Sequence, residues 1–359
     1  MNDKYSLDNW VDDLDLVCRH EWEVGIIGSS CFAGMFIGAL TLSPISDIYG
    51  RRPVHIIGLV LSLIGGLWMY VFPTWISVII SLLLKGIGMY SRLSISYLYT
   101  LEMFDEERCK VIATIIMSIN NALSSVMALY VLFGGRDATF FLLCSIFIAM
   151  YSLVFIPILP ESPKLLFSQK DYAGTRDCLE SIAHVNGIKY KKQVFKEEVE
   201  NHQLLADCDP KMLEEIEREN IRKADFKQLC TKPQLLINLS IIVFVFMINV
   251  FSMYMLSFML KYLPGDKYVN LFMLGVADFI PSVMSGLVLV LMPTKRAMIL
   301  THLFICVFVV LHIFFGGIEY LGMPLIFFIR FAITLQSCLN FYIVYELFPA
   351  KFASVVYGG

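Results

Sequence analysis

Apolar residues gather into long runs separated by short polar breaks. Runs of about twenty fall near 24–45, 54–72, 75–101, 111–133, 139–159, 235–260, 269–292, 297–315 and 323–346. Each suffices to cross ~30 Å of hydrocarbon as a helix rising 1.5 Å per residue. The one long polar stretch, 160–233, carries three short helix patterns. Ser162 followed by Pro163 opens one through Phe167. Asp171 caps a second, with Tyr172, Leu179, Ile182 and Ala183 on one face and a stop at Asn186–Gly187. Asp209 and Pro210 open a third. The other reading of this stretch is a solvated linker.

Composition agrees with the spans. Hydrophobic residues make up 57% of the 359 and charged residues 16%, with a mean hydropathy of +0.69. So few charges cannot cover a water-facing surface of this size. A net charge of −3 gives no nucleic-acid signature. The chain therefore reads as an all-α, polytopic membrane protein. Its first 23 residues are acidic and lack the positive start of a secretory signal. Arg51, Arg52, Arg108, Lys110, Lys295, Arg296 and Lys351 fall on one side with the ends of the central loop, which places that side in the cytoplasm and the N-terminus outside.

Charges inside spans are costly and normally face a cavity or a partner. Asp278 lies within the run 269–292, and either meets a solute or pairs with an arginine. Arg92 is ten residues from Glu102, Arg330 sits within the last run, and both read first as structural. Lys85 reads as a snorkelling lysine. Asn120, Asn121, Asn249, Gln336 and Asn340 serve as interhelical glue or as ligands. Gly34 and Gly38 permit close helix packing. No HExxH, GxSxG, P-loop or CxxC pattern occurs, so neither an enzyme, a metal site nor a cofactor is expected. Cys18 is the one cysteine expected outside, and is expected unpaired.

Two landmarks share one offset. Arg51–Arg52 and Lys295–Arg296 are 244 residues apart, as are Glu102 and Glu346. This suggests two parallel halves joined by the central loop, the architecture of major facilitator transporters. The segment Gly38–Arg52, GALTLSPISDIYGRR, resembles that superfamily's loop between its second and third helices. From Pro160, PESPKLLFSQKDYAGTRDCLESIAHVNG resembles the start of the central loop in organic cation, anion and carnitine transporters. Arg330, followed by Glu346-Leu347-Phe348-Pro349, resembles their tenth helix and its exit.

The resemblance implies a major facilitator fold lacking helix 1 and helices 11–12, from an incomplete segment or a true remnant. Residues 1–23 would be the remnant of an extracellular loop, 24–159 the N-terminal bundle, 160–233 the cytoplasmic loop and 234–359 the C-terminal bundle. It implies transport of small organic solutes, ions rather than sugars, by alternating access, in the lipid bilayer of the plasma membrane. Alternatives are a sugar-porter-like carrier or a non-transporting remnant or sensor. Asp278, Arg330, Arg92, Asn249 and Gln336 are the substrate-cavity candidates. Asp47, Gly50, Arg51, Arg52, Glu102, Arg108 and Glu346 would form a cytoplasmic latch, with Glu102 and Glu346 pairing Arg108 and Lys351. Pro160, Glu161, Ser162 and Pro163 form the central-loop motif.

Overall fold

The computed structural model describes residues 14, 16, 19–135, 137, 139–187, 233–259, 266–318 and 320–347, with backbone alone at 106–107, 233–235, 267 and 345–347. The helices are α1 (Glu21–Tyr49), α2 (Arg51–Val71), α3 (Trp75–Glu102), α4 (Glu106–Leu132), α5 (Thr139–Phe155), α6 (Pro163–Ser168), α7 (Tyr172–Val185), α8 (Pro233–Met259), α9 (Lys267–Leu291), α10 (Thr294–Phe315) and α11 (Gly322–Leu347). Among the described residues nine helices are long and apolar enough to cross a bilayer, and they coincide with the nine predicted runs. Phe36, Phe147, Phe251 and Ile313 stand exposed along them, as contact with acyl chains requires.

The two short helices form where their caps predict. The Ser162 hydroxyl accepts from the Leu165 N–H at 3.1 Å, ahead of Pro163. The Asp171 carboxylate accepts from the Gly174 N–H at 2.9 Å, and Gly187, with φ +67, follows the end of α7. The third expected helix, from Asp209, and Cys18 lie outside the described residues.

The helices form two units. In the first, α3 packs against α1 and α2, and α2 against α5, while α6 and α7 lie at the end where α1 passes into α2. In the second, α9 packs against α4 and α11, and α10 against α11. Helix α4 touches α11 and packs chiefly along α9. Small residues bring the two helices close, with Ser125 facing Gly275 and Thr114 facing Gly286. The Asn121 amide also donates to the Ser282 hydroxyl at 2.5 Å.

Shifted by 244 positions, α1, α2 and α3 overlie α9, α10 and α11 in sequence, and in each trio the third helix packs against the first. The equivalent crossings are built differently. In the first unit Gly34 and Gly86 meet; a Cβ on Gly86 would lie 3.0 Å from the Gly34 Cα and overlap the Cys31 carbonyl. Their counterparts 244 residues on are Asp278 and Arg330, which bridge the equivalent crossing with an ion pair. Gly86→Ala is expected to force the α1 and α3 backbones apart and cost about 1–3 kcal/mol. Gly25→Ala, where no atom lies within 4 Å, should not lower the melting midpoint in detergent, since alanine also favours the helix.

Candidate functional site

Along α11 polar residues recur at helical spacing, and most of them tie the helix to a neighbour. Arg330 donates from Nε to Asp278 Oδ1 at 2.7 Å and from Nη2 to Oδ2 at 2.9 Å. Its Nη1 donates to the Met253 carbonyl and, at 3.1 Å, to the Ser257 hydroxyl of α8. Thr334, one turn further along α11, donates to Asp278 Oδ1 at 2.6 Å. Both ions are buried, so this fork–fork geometry joins α8, α9 and α11 in a low dielectric. Of the two sequence readings of Asp278, the structure contains the pairing with an arginine.

Two more α11 contacts use predicted residues. Asn249 of α8 donates to the Ile333 carbonyl at 3.1 Å and accepts from the Ser337 hydroxyl. Gln336 donates to Asn340 at 2.8 Å, and its amide oxygen meets the Thr301 hydroxyl of α10. The fifth cavity candidate, Arg92, belongs to the other unit. It lies in the π-helical turn Ser91–Ile95 of α3 and donates from Nη2 to the Ser62 hydroxyl of α2 at 3.2 Å. Lys85 does not snorkel outward. Its ammonium donates to the Ser145 hydroxyl of α5 at 3.2 Å, a partner its sequence setting did not announce.

A second cluster lies where α1 ends and α2 begins. Gly50, at φ +108, makes the break between them; a residue with a Cβ would be strained there and would overlap the Glu161 carboxylate. That carboxylate accepts from the Arg51 N–H at 3.0 Å and the Arg52 N–H at 3.2 Å. It thereby places negative charge at the N-terminus of α2, where the helix dipole favours it. The Arg51 guanidinium, 1% exposed, donates to Asp47, to the Ser46 hydroxyl at 2.8 Å and to Glu102 at 3.3 Å. Arg52 donates to the Pro157 carbonyl, Tyr99 to the Pro160 carbonyl, and Gln169 to the Asp47 carbonyl at 2.7 Å.

Asp47, Gly50, Arg51, Arg52, Glu102, Pro160, Glu161, Ser162 and Pro163 thus converge. One expected pairing is corrected. Arg108 pairs with Asp105 at 3.5 Å, both well exposed, whereas Glu102 is buried against Arg51. Asp105 is the nearer partner, one turn away at the N-terminus of α4. The Glu346 side chain and Lys351 lie outside the described residues. Sequence reasoning missed Ser257, Thr334 and Gln169. Thr334, four residues after Arg330, had the only visible signal.

Cys178 of α7 donates its thiol to the Glu161 carbonyl at 3.0 Å. Burial, and then the neighbouring Glu161 charge, push this thiol up to about 11. In a chain whose other cysteines are replaced, alkylation should be about 100-fold slower at pH 7.4 than for an ordinary thiol of pKa near 9. The rate should climb about tenfold per pH unit until pH approaches 11, because only the thiolate reacts. A neutral-pH rate equal to that of a free thiol contradicts this packing.

The major facilitator superfamily profile matches residues 20–358. Solute carrier family 22 member 4 of Mus musculus is 21% identical over 97% of this chain and 61% of its own length. Organic cation/carnitine transporter 2 of Mus musculus is 24% identical over 94% of this chain and 59% of its own. The corresponding figures for organic cation transporter 1 of Caenorhabditis elegans are 24%, 76% and 45%. The chain thus spans about half the length of these curated relatives. Among solved structures, the proton:xylose symporter XylE of E. coli superposes with a TM-score of 0.66 at 16% identity, covering 94% of this chain and 76% of XylE. The human organic anion transporter MFSD10 gives 0.53 at 13% identity, covering 97% and 79%. At these identities the likeness shows a shared fold. With the profile match spanning nearly its whole length, this chain belongs to the major facilitator superfamily.

Proposed function

We propose that the protein moves small organic ions across the plasma membrane by alternating access. The observation that carries this reading is the set of charged and amide side chains inside apolar spans: Asp278, Arg330, Asn249 and Gln336 along α11 and its neighbours, and Arg92 in α3. A bundle with only a structural role would fill those positions with apolar residues at lower cost. The names of the curated relatives, organic cation and carnitine transporters, supply the solute class. The Arg51 cluster serves as a latch on the cytoplasmic side, holding α1, α2 and α3 to the loop helices in one state and releasing them in another.

Competition tests the solute class. In proteoliposomes, uptake of labelled carnitine should saturate and be inhibited by an excess of the unlabelled compound. Excess glucose or xylose should leave it unchanged. Hexose-inhibited uptake would assign the protein to sugar porters, and uptake no faster than in protein-free vesicles would remove the carrier reading.

A further inference from the structure

The two membrane-embedded arginines are satisfied to very different degrees. Arg330 meets a carboxylate through two nitrogens and two further acceptors through its third. Arg92 has one acceptor, the Ser62 hydroxyl, and its Nε–H is buried with no hydrogen-bond partner. Lys85, seven residues earlier and so on the same face of α3, meets only the Ser145 hydroxyl. Among the described residues neither cation has a carboxylate partner. A third polar group adds to the pattern. Ser81, one turn before Lys85, has a fully buried hydroxyl with no partner. The Lys85 stem crosses Gly65 and Gly66 of α2 on its way to α5. The whole arrangement therefore lies among α2, α3 and α5 of one unit.

Two cations and an orphan hydroxyl on one stripe of an apolar bundle form an arrangement that an anion would complete. Uncompensated positive charge in a low dielectric is unfavourable, and donors without acceptors add to the penalty. Lys85 and Arg92 lie ten residues from Trp75 and Glu102 respectively, about 15 Å of helix from either end. That depth favours a small solute over a lipid headgroup as the source of the anion. We propose that Lys85 and Arg92 form the binding site for the carboxylate of the carried solute, so that the substrates are organic anions or zwitterions rather than simple cations. This rests on the carrier reading for the word substrate, but the site itself does not.

The test reads the melting midpoint of the purified full chain in chloride-free detergent buffer, by tryptophan fluorescence. Three probes built on the same four-carbon chain are titrated: butanoate, 4-(trimethylammonio)butanoate and butyltrimethylammonium. Both carboxylates should raise the midpoint, and the plain cation should not. In Arg92→Gln and in Lys85→Met the half-saturating butanoate concentration should rise at least tenfold. Without ligand both variants should melt higher than the parent, because an unpaired cation is gone; a merely structural role gives the opposite sign. Arg92→Lys, which keeps the charge but loses the Nε–H, should fall between. A butanoate response unchanged in both variants, a response to the plain cation alone, or loss of folded protein in both variants overturns the site. A chain that binds butanoate through these residues yet moves no solute keeps the site and loses the carrier reading; carriage of plain cations without carboxylate binding does the reverse.

Discussion

Arg330→Gln is expected to destabilise the α9–α11 unit by about 3–5 kcal/mol, the usual consequence of removing one partner from a buried ion pair. The Asp278 carboxylate would keep only the Thr334 hydroxyl as donor from α11, with no positive charge within bonding distance. Asp278→Asn should cost a similar amount by leaving the guanidinium uncompensated against the Met253 carbonyl and Ser257. The double replacement Asp278→Leu with Arg330→Met should recover more than half of either loss. It removes both charges together and keeps apolar volume at the crossing. The measurement is the unfolding free energy in detergent micelles titrated with sodium dodecyl sulfate. Additive losses in the double variant would show that the two side chains act independently, contrary to their geometry.

The second large effect is expected at the start of α2. Arg51→Gln strands Glu102, which is 3% exposed, and cuts the tie to Asp47, for a loss of about 3–5 kcal/mol. Glu161→Gln keeps one oxygen, which is within reach of both backbone N–H groups, but removes the second acceptor and the charge opposite the helix dipole. Its loss should be smaller, about 1 kcal/mol. The two variants should also differ in where they loosen. Glu161→Gln should speed hydrogen exchange in α6, whose N-cap Ser162 donates its N–H to that carboxylate, and in α7, which is tied to the Glu161 carbonyl through Cys178. Arg51→Gln should speed it at the junction of α1 and α2. Equal effects at both places would mean that the cluster opens as a single piece.

The spans were legible because hydropathy and length settle them without tertiary information. Ser162, Asp171 and Gly187 announced α6 and α7 because caps and stops act over one turn. The 244-residue offset located equivalent helix ends, and the structure extends it to a pair that composition could not suggest: Gly34 with Gly86 against Asp278 with Arg330. Partnerships over long separations were not legible. Glu161 caps a helix that starts 110 residues earlier, and no local pattern marks a side chain for that task. The pairing of Glu102 with Arg108 followed from the resemblance, whereas the burial of Glu102 beside α2 decided its partner. Likewise Lys85 and Arg92 looked like ordinary intramembrane cations until their acceptors could be counted.

Counterflow measures the central claim most directly, because only a carrier that exposes one site to each side in turn couples opposite fluxes. Proteoliposomes containing the protein are loaded with unlabelled carnitine and diluted into trace labelled carnitine. Alternating access predicts that label rises transiently above its equilibrium level and then declines, faster than in vesicles loaded with buffer alone. Label that fills monotonically to equilibrium at the same rate whether or not the vesicles are loaded would contradict the account.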